Sequence, residues 1–128
     1  YMSKDTVLVV EDDQLLREVI EDLLHIHKIK VKTVGDSSEA NDWLEEYIPG
    51  LIICDLFLPT VSGIQWLNSV SEGLVANKSS IILLSADHER THEMLVGSPI
   101  QSLVKHQLKK PFKNDELVRL IRFFRPNS

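Results

Sequence analysis

Short runs of apolar residues recur along the chain and alternate with longer segments in which apolar and polar residues mix. Runs without polar interruption are typical of strands in a parallel sheet, because helices cover both faces of such a sheet. The runs at 7–10, 51–54 and 81–84 are the clearest, and those at 31–34 and 102–108 are weaker. The pattern predicts five strands.

The segments between these runs repeat their apolar residues every three or four positions, as an amphipathic helix does. Caps are predicted at Asp13 and at Ser37 or Ser38, because side chains of these types accept hydrogen bonds from the first turn of a helix. Asn114 is predicted to open the last helix. The segment 87–97 is predicted to be helical on the weakest stripe. The three clear stripes are Leu16, Val19, Ile20, Leu23 and Leu24; Ala40, Trp43, Leu44 and Tyr47; and Leu117, Leu120, Ile121 and Phe124. A looser stripe lies between the last two and consists of Ile64, Leu67, Ser71 and Leu74.

A strand followed by a helix, repeated five times, predicts the fold class. The expected architecture is an α/β three-layer (βα)5 sandwich, in which helices pack on both faces of one parallel sheet and right-handed crossovers join the strands. With 128 residues, the chain is expected to form a single domain over 1–128. Tyr1 precedes Met2 and is expected to be a cloning remnant.

Composition narrows the class of protein. Hydrophobic residues make up 43% of the chain and charged residues 26%, as in soluble globular domains. No apolar run approaches the roughly 20 residues of a membrane span, and the N-terminal residues do not resemble a secretory signal. The one cysteine, Cys54, excludes an internal disulfide and suits a reducing compartment. We therefore expect a cytoplasmic protein without membrane contact.

The net charge of −5 is unevenly distributed, with basic residues clustered near the C-terminus. This cluster could be a nucleic-acid patch or a solvated helix face whose cations suit the negative end of the helix dipole. We favour the second interpretation, and expect no direct nucleic-acid binding, because the chain as a whole is acidic. The cluster consists of Lys105, Lys109, Lys110, Lys113, Arg119, Arg122 and Arg125.

The segment from His88 to His92 matches H-E-x-x-H, the helical zinc site of many metalloproteases. Two histidines at this spacing share one helix face, and Glu89 could activate a metal-bound water. A catalytic zinc site also needs a third protein ligand and a substrate cleft. Because no further histidine or glutamate continues the pattern at a plausible spacing, the protease hypothesis is not favoured.

The carboxyl ends of the predicted strands carry residues suited to phosphoryl chemistry, at the edge where parallel α/β sheets bind their ligands. Glu11 and Asp12 follow the first strand, Asp55 the third, Ser85 the fourth and Lys110 the fifth. Carboxylates brought together repel one another, and a hard divalent cation such as Mg²⁺ resolves that conflict. A lysine and a hydroxyl beside the cation supply what phosphoryl oxygens require.

Four motifs at these strand ends carry a family resemblance. LVVEDD at 8–13, ICDLFLPTVSG at 53–63, LLSA at 83–86 and KPF at 110–112 resemble the receiver domain of bacterial two-component response regulators. Each motif is weak alone, but four in this order, each closing a strand, are specific. The resemblance spans about 4–125, the expected folded core. It implies a flavodoxin-like fold with the parallel strand order 2-1-3-4-5, the class that the strand and helix pattern predicts.

The resemblance implies a phosphoacceptor and a metal site. Asp55 matches the aspartate that receives a phosphoryl group from a histidine kinase or a histidine phosphotransfer protein. Glu11 and Asp12 match the acidic pair that positions Mg²⁺, with Mn²⁺ as an alternative, and Asp12 is the expected direct ligand. Asp55 itself and the main-chain carbonyl of Phe57 complete the implied metal ligands. Asp13 is interpreted instead as the start of the following helix.

The resemblance also implies the groups that bind the phosphoryl oxygens. Ser85 matches the hydroxyl that turns toward the phosphoryl group, and the backbone N–H of Ala86 assists it. Lys110 matches the lysine that pairs with the phosphoaspartate, and its bond to Pro111 is expected to be cis. Gly63 matches the glycine that follows the phosphorylation loop.

A departure from the family affects the expected switch, and two further positions affect the expected lifetime of the phosphoryl group. The position three residues before the lysine, usually aromatic, is Gln107, with His106 before it. Without a ring that moves from exposed to buried, the conformational response is expected to be muted. The side chains that influence hydrolysis of the phosphoaspartate in the family match Phe57 and Asp87. Phe57 cannot hydrogen-bond the attacking water, so slow self-dephosphorylation is expected.

The expected function is a phosphoacceptor signalling module rather than a turnover enzyme, whose phosphorylated state controls an output domain or protein. One alternative is a pseudo-receiver that binds partners without phosphate, although the complete acidic pair, Asp55 and Lys110 argue against it. Another is a Mg²⁺-dependent hydrolase on a similar sheet. That class is disfavoured because the D-x-D nucleophile pattern of haloacid-dehalogenase phosphatases is absent around Asp55.

Overall fold

The computed structural model of the protein describes residues 4–86 and 88–125, together with the side chains of these residues except that of His88. Each predicted strand is present, and its ends differ from the prediction by at most two residues. A 3-10 turn at Gln101–Leu103 precedes the last strand. The strands are β1 (Val7–Val10), β2 (Val31–Val34), β3 (Leu51–Asp55), β4 (Ser80–Ser85) and β5 (Val104–Lys109), and the helices are α1 (Gln14–Ile26), α2 (Ser37–Leu44), α3 (Gly63–Ser69), α4 (Ser71–Asn77), α5 (His88–Leu95) and α6 (Asn114–Phe124).

The five strands form one parallel sheet in the order β2-β1-β3-β4-β5. This order confirms the flavodoxin-like fold expected from the sequence. β1 and β3 lie in the interior of the sheet and are fully buried, which explains why their sequences are apolar without interruption. β2, at the edge, is only partly buried. The weaker apolar pattern of its sequence follows from that edge position.

Alternate residues of each strand pack into two separate cores, one on each face of the sheet. Leu8 and Val10 of β1 belong to a core built with α2, α3, α4 and α5, whereas Val7 and Val9 belong to one built with α1 and α6. The chain therefore forms the predicted three layers. None of the described helices is both long enough and apolar enough to cross a membrane.

The predicted third helix is in fact two helices, α3 and α4, which meet at Val70. The Ser69 hydroxyl donates to the carbonyl of Trp66, and a bond of this kind competes with the helical backbone pattern. Val70 then adopts φ −111° and ψ 15°, ending one helix and starting the next.

The helix caps were only partly predicted. Asp13 caps α1 as expected, with its side chain accepting from the backbone N–H groups of Leu15 and Leu16. The prediction of Ser37 or Ser38 as the cap of α2 was wrong, because Asp36 accepts from the N–H of Glu39 at 2.8 Å. Asn114 is the first residue of α6, as predicted. Carboxylates and hydroxyls have similar capping preference, so neighbouring candidates compete.

Candidate functional site

The predicted site residues lie together at the carboxyl edge of the sheet. Glu11 follows β1, Asp55 ends β3, Ser85 ends β4 and Lys110 follows β5. The backbone N–H of Lys110 donates to the carbonyl of Ser85 at 3.0 Å, so the lysine is fixed against the neighbouring strand end. The Lys110–Pro111 bond is cis, as expected. Lys109 is exposed on the sheet edge, in agreement with the assignment of Lys110 rather than Lys109 to the site.

Lys110 bridges two carboxylates of this site. Its Nζ atom lies 2.7 Å from Oε1 of Glu11 and 2.8 Å from Oδ2 of Asp55. Burial acts to lower the pKa of Lys110, but hydrogen bonds to Asp55 and Glu11 outweigh burial, and the net effect raises that pKa. The lysine therefore stays charged. It supplies one positive charge to a site that holds more than one negative charge.

Three carboxylates crowd around that single lysine. Glu11, Asp12 and Asp55 each offer an oxygen within 4.8 Å of those of the other two. Glu11 is fully buried, and burial raises its pKa to about 7 in spite of the Lys110 hydrogen bond. An all-oxygen cluster with surplus negative charge, partly buried and partly open through exposed Asp12, fits a hard divalent cation.

The loop from Asp55 to Gly63 is held by backbone contacts. Oδ1 of Asp55 accepts from the N–H of Phe57 at 3.1 Å, and Phe57 forms an isolated antiparallel bridge with Ser62. The N–H of Gly63 donates to the carbonyl of Leu56 at 2.6 Å. A Cβ atom on Gly63 would lie 2.2 Å from the main-chain oxygen of Asp55. Only glycine therefore permits this approach.

Sequence reasoning missed one side chain that supports the acidic pair. Nη1 of Arg17, on α1, donates to the main-chain carbonyl of Glu11 at 2.8 Å, while the N–H of Asp13 donates to Oε2 of Glu11 at 3.1 Å. Arg17 fixes the turn that carries Glu11 and Asp12. Its spacing from Glu11 gives no signal in a single sequence, because the contact depends on the path of the turn.

The Ser85 side chain contacts a second residue that the sequence did not indicate. Its Oγ atom lies 2.7 Å from Oγ1 of Thr91 on α5, and both residues are buried. Thr91 precedes buried Leu95 by one helical turn, so it belongs to the inward face of α5. That spacing is the one signal that could have indicated its position.

The comparison with known protein families decides the identity of this fold and site. A model described as the response regulator receiver domain matches residues 7–122. The chain belongs to the response regulator receiver family. Its relatives include the response regulator Rre1 of Synechocystis sp., which is 30% identical over 118 residues. Another is the DNA-binding response regulator MtrA of Mycolicibacterium smegmatis, which is 30% identical over 119 residues. The alignments cover 91% and 93% of this receiver but 50% of each relative, so the chain spans about half their length.

Solved structures agree with the family assignment. The receiver domain of the sensor histidine kinase PA1611 from Pseudomonas aeruginosa superposes with a TM-score of 0.78 at 26% identity, covering 94% of this chain and 96% of that one. Its structure contains a magnesium ion in the active-site cleft. A signal receiver domain from Bermanella marisrubri gives a TM-score of 0.78 at 27% identity, covering 96% and 98%. Receivers are signalling modules that bind Mg²⁺ at an acidic site and interact with histidine kinases.

Gln107 and His106 are neighbours on β5 of this receiver, and their surroundings differ. His106 is exposed, but Oε1 of Gln107 is buried and accepts no hydrogen bond from the part of the chain that the structure describes. The reason is that Gln107 pairs in the sheet with buried Leu83 and faces the core on the α5 side.

The zinc motif gains no support from the structure. Glu89 and His92 are exposed on α5, and the side chain of His88 lies outside the described residues, as does Asp87. Among the side chains described, the one group of three or more potential metal ligands is Glu11, Asp12 and Asp55. Among the described side chains of the matching segment, Thr91 contacts the site through Ser85.

Proposed function

We propose that this chain is the phosphoacceptor module of a two-component phosphorelay and that Asp55 is the residue phosphorylated. The observation that carries the proposal is the placement of Lys110, which contacts Asp55 and Glu11 from a neighbouring strand end. The Asp55 side chain is 9% exposed and is held by Lys110. We also propose that about 4–125 form one receiver domain.

In the transfer step, a carboxylate oxygen of Asp55 forms a bond to phosphorus while the bond from phosphorus to the donor nitrogen breaks. The donor imidazole keeps that electron pair and takes up a proton. Lys110 stays charged and offers its N–H groups to the phosphoryl oxygens or to the Asp55 oxygen that remains free. The Ser85 hydroxyl and the backbone N–H of Ala86 supply further donors from the end of β4.

Glu11, Asp12, Asp55 and the main-chain carbonyl of Phe57 would hold Mg²⁺, with Mn²⁺ as an alternative. When bound, the cation offsets the negative charge that gathers as phosphoryl oxygens approach the carboxylates. The three carboxylates support this proposal, because their oxygens lie within 4.8 Å of one another. Arg17 and Asp13 keep Glu11 in position.

The proposed phosphodonor is a histidine kinase or a histidine phosphotransfer protein, and the output is an effector domain or protein. Relatives twice as long include a DNA-binding response regulator, so transcriptional output is one form that the whole protein could take. We propose no direct nucleic-acid or membrane binding by this domain. A pseudo-receiver role is not favoured, because the acidic residues, Asp55 and Lys110 are all present and in contact.

The experiment is intact mass measurement after incubation with acetyl phosphate. We expect the wild-type protein to gain one phosphoryl group with Mg²⁺ or Mn²⁺ present and none in chelator. Asp55→Asn should not gain it. Asp42→Asn, which changes an exposed aspartate on α2, is the matched control and should gain it normally. Labelling of the Asp55→Asn variant, or labelling in chelator, contradicts the proposal.

A further inference from the structure

The backbone of Glu11 is held from two sides where β1 ends. Its N–H donates to the carbonyl of Val34, the last residue of β2, at 3.1 Å. Its own carbonyl accepts from Nη1 of Arg17 at 2.8 Å. That carbonyl belongs to the peptide unit between Glu11 and Asp12, and a peptide unit is planar and rigid. The arginine therefore fixes the orientation of the unit from which Asp12 begins.

The Arg17 guanidinium lies beside Gly35, the residue that follows β2. A Cβ atom on Gly35 would lie 2.8 Å from Nη1 of Arg17 and 3.4 Å from its Cζ atom. It would also lie 3.4 Å from Oε1 of Glu39, which accepts from the Gly35 N–H at 3.3 Å. Any side chain at position 35 therefore competes with the guanidinium for space.

The backbone does not require glycine at position 35. Among the described glycines, the one with a positive φ is Gly97, so the φ of Gly35 does not itself disfavour another residue. The atom nearest to an added Cβ is the end of a flexible side chain, which can move aside at little cost. Gly35→Ala is therefore expected to leave the fold intact and to displace the Arg17 guanidinium.

We propose that Gly35 is a positioning residue for the cation site, although it lies on a different turn from the carboxylates. It leaves the space from which the Arg17 guanidinium holds the carbonyl of Glu11. The proposal rests on one part of the proposed function, namely that Glu11, Asp12 and Asp55 hold a divalent cation. Residues outside a set of metal ligands change the metal affinity when they orient those ligands.

The first measurement is the Mg²⁺ affinity of the whole chain, by amide NMR titration with Mg²⁺ alone. Arg17→Met keeps an unbranched apolar stem and removes the guanidinium, and it should weaken binding roughly tenfold. Removal of a cation near carboxylates would, by Coulomb attraction alone, tighten Mg²⁺ binding. Weaker binding therefore identifies positioning rather than charge. Gly35→Ala, which leaves the Arg17 residue unchanged, should weaken binding about fivefold.

A double substitution tests whether Gly35 acts through Arg17. In an Arg17→Met background, Gly35→Ala should change the affinity by less than about twofold, because the guanidinium that it displaces is already absent. Two matched controls should bind Mg²⁺ as wild type does. One is Gly73→Ala, where a Cβ atom meets nothing within 4 Å, and the other is Arg119→Met, at an exposed position on α6.

A second measurement is made in chelator and needs no metal. A hydrogen bond to a carbonyl oxygen shifts the carbon resonance of that carbonyl downfield. The Glu11 carbonyl resonance should therefore move upfield in both Arg17→Met and Gly35→Ala, and it should stay in place in the two controls. A change in packing that left the bond from Arg17 to Glu11 intact would not give this upfield shift.

Three results would overturn the role of Gly35. One is unchanged or tighter Mg²⁺ binding by Gly35→Ala or Arg17→Met. Another is an unmoved Glu11 carbonyl resonance in Gly35→Ala. The third is an equal loss of affinity on Gly35→Ala in the Arg17→Met background. Wild-type protein that binds Mg²⁺ but gains no phosphoryl group at Asp55 contradicts the proposed function alone, whereas wild-type protein that binds no Mg²⁺ contradicts both proposals.

Discussion

The two ends of the central strands hold buried polar groups of different kinds. At the amino end, the Ser79 hydroxyl donates to the carbonyl of Pro49, and Nδ2 of Asn77 donates to the same carbonyl at 3.3 Å. These groups are neutral and paired. At the carboxyl end, Glu11 and Asp55 share one lysine with exposed Asp12 nearby, and burial raises the pKa of Glu11 to about 7.

The polar groups at the amino end stabilise the fold, whereas those at the carboxyl end are arranged for a ligand. A neutral buried hydrogen bond contributes modestly to stability and needs nothing further. A crowded set of carboxylates costs stability until a cation or a change of protonation relieves it. Substitutions at the amino end are therefore expected to change stability alone. Substitutions at the carboxyl end are expected to change both stability and phosphoryl chemistry.

The largest expected effect is at the glycine that closes the carboxyl-end loop. Gly63→Ala would place a Cβ atom 2.2 Å from the main-chain oxygen of Asp55 and 3.0 Å from Sγ of Cys54. Backbone cannot move aside cheaply, so we expect a loss of at least about 3 kcal/mol in the free energy of unfolding. Urea unfolding followed by fluorescence of buried Trp66 measures it.

Gly73 provides the control for that substitution. It lies inside α4, and a Cβ atom there would meet nothing within 4 Å. Gly73→Ala should raise the free energy of unfolding by about 0.5–1 kcal/mol through helix propensity. A Gly63→Ala variant as stable as wild type would show that the loop is not packed as described.

The second effect is the pH dependence of stability without metal. Burial raises the pKa of Glu11 from 4.5 to about 7. Below 4.5 the folded and unfolded chains both hold the proton, and between these values only the folded chain keeps it. Stability should therefore fall as pH rises through this window, by roughly 3 kcal/mol from Glu11, and stop falling above about pH 7. The raised pKa of Lys110 lies outside this window and adds no slope.

Glu11→Gln removes the titrating group and should flatten that part of the profile. Ser79→Ala, at the amino end, should lower stability by about 1 kcal/mol at every pH and leave the slope unchanged. The measurement is urea unfolding between pH 4.5 and 8 in chelator. If Glu11→Gln retains the wild-type slope, Glu11 is not the group that holds the proton.

The third effect concerns the lifetime of the phosphoryl group. Phe57 is 54% exposed, and its backbone N–H donates to the Asp55 carboxylate. It cannot orient an attacking water, whereas asparagine can. Phe57→Asn should speed loss of the phosphoryl group about fivefold to tenfold, or about 1 kcal/mol in the activation free energy. The measurement is the loss of phosphorylated mass over time. As a control, phosphorylated Phe57→Leu should lose its phosphoryl group at the wild-type rate. An unchanged or slower loss from Phe57→Asn refutes the shielding role.

The smallest effect is at Gln107, whose buried Oε1 atom accepts no hydrogen bond from the described residues. A buried acceptor without a partner costs stability. Gln107→Leu should raise the free energy of unfolding by about 1 kcal/mol, while His106→Leu, at an exposed position, should change it by less than about 0.5 kcal/mol. A destabilised Gln107→Leu variant would show that the amide has a partner in solution.

The architecture was predictable because burial on both faces of the sheet leaves an uninterrupted apolar signature in β1, β3 and β4. The break at Val70 was not predictable, since it accompanies a local contact in which the Ser69 hydroxyl donates to the Trp66 carbonyl. Local competition of this kind also moved the α2 cap to Asp36. Patterns averaged over a segment do not resolve such choices.

The residues of the site were predictable because parallel strands bring their carboxyl ends to one edge. Which side chains touch was not. The contacts of Arg17 with Glu11 and of Thr91 with Ser85 depend on the paths of a turn and a loop. Gln107 was interpreted as a departure from the family, but the lack of a hydrogen bond to its Oε1 atom among the described residues depends on the folded surroundings.

The most direct test of the account locates the phosphoryl group by chemistry. Protein treated with acetyl phosphate and Mg²⁺ is reduced with borohydride, which converts a phosphorylated aspartate to homoserine and releases phosphate. Peptide sequencing by mass spectrometry then finds the homoserine. The proposed function predicts homoserine at position 55 alone, in wild type and in Ser79→Ala. Homoserine at position 12 or 13, or its absence from position 55 in protein that has gained the phosphoryl mass, would contradict it.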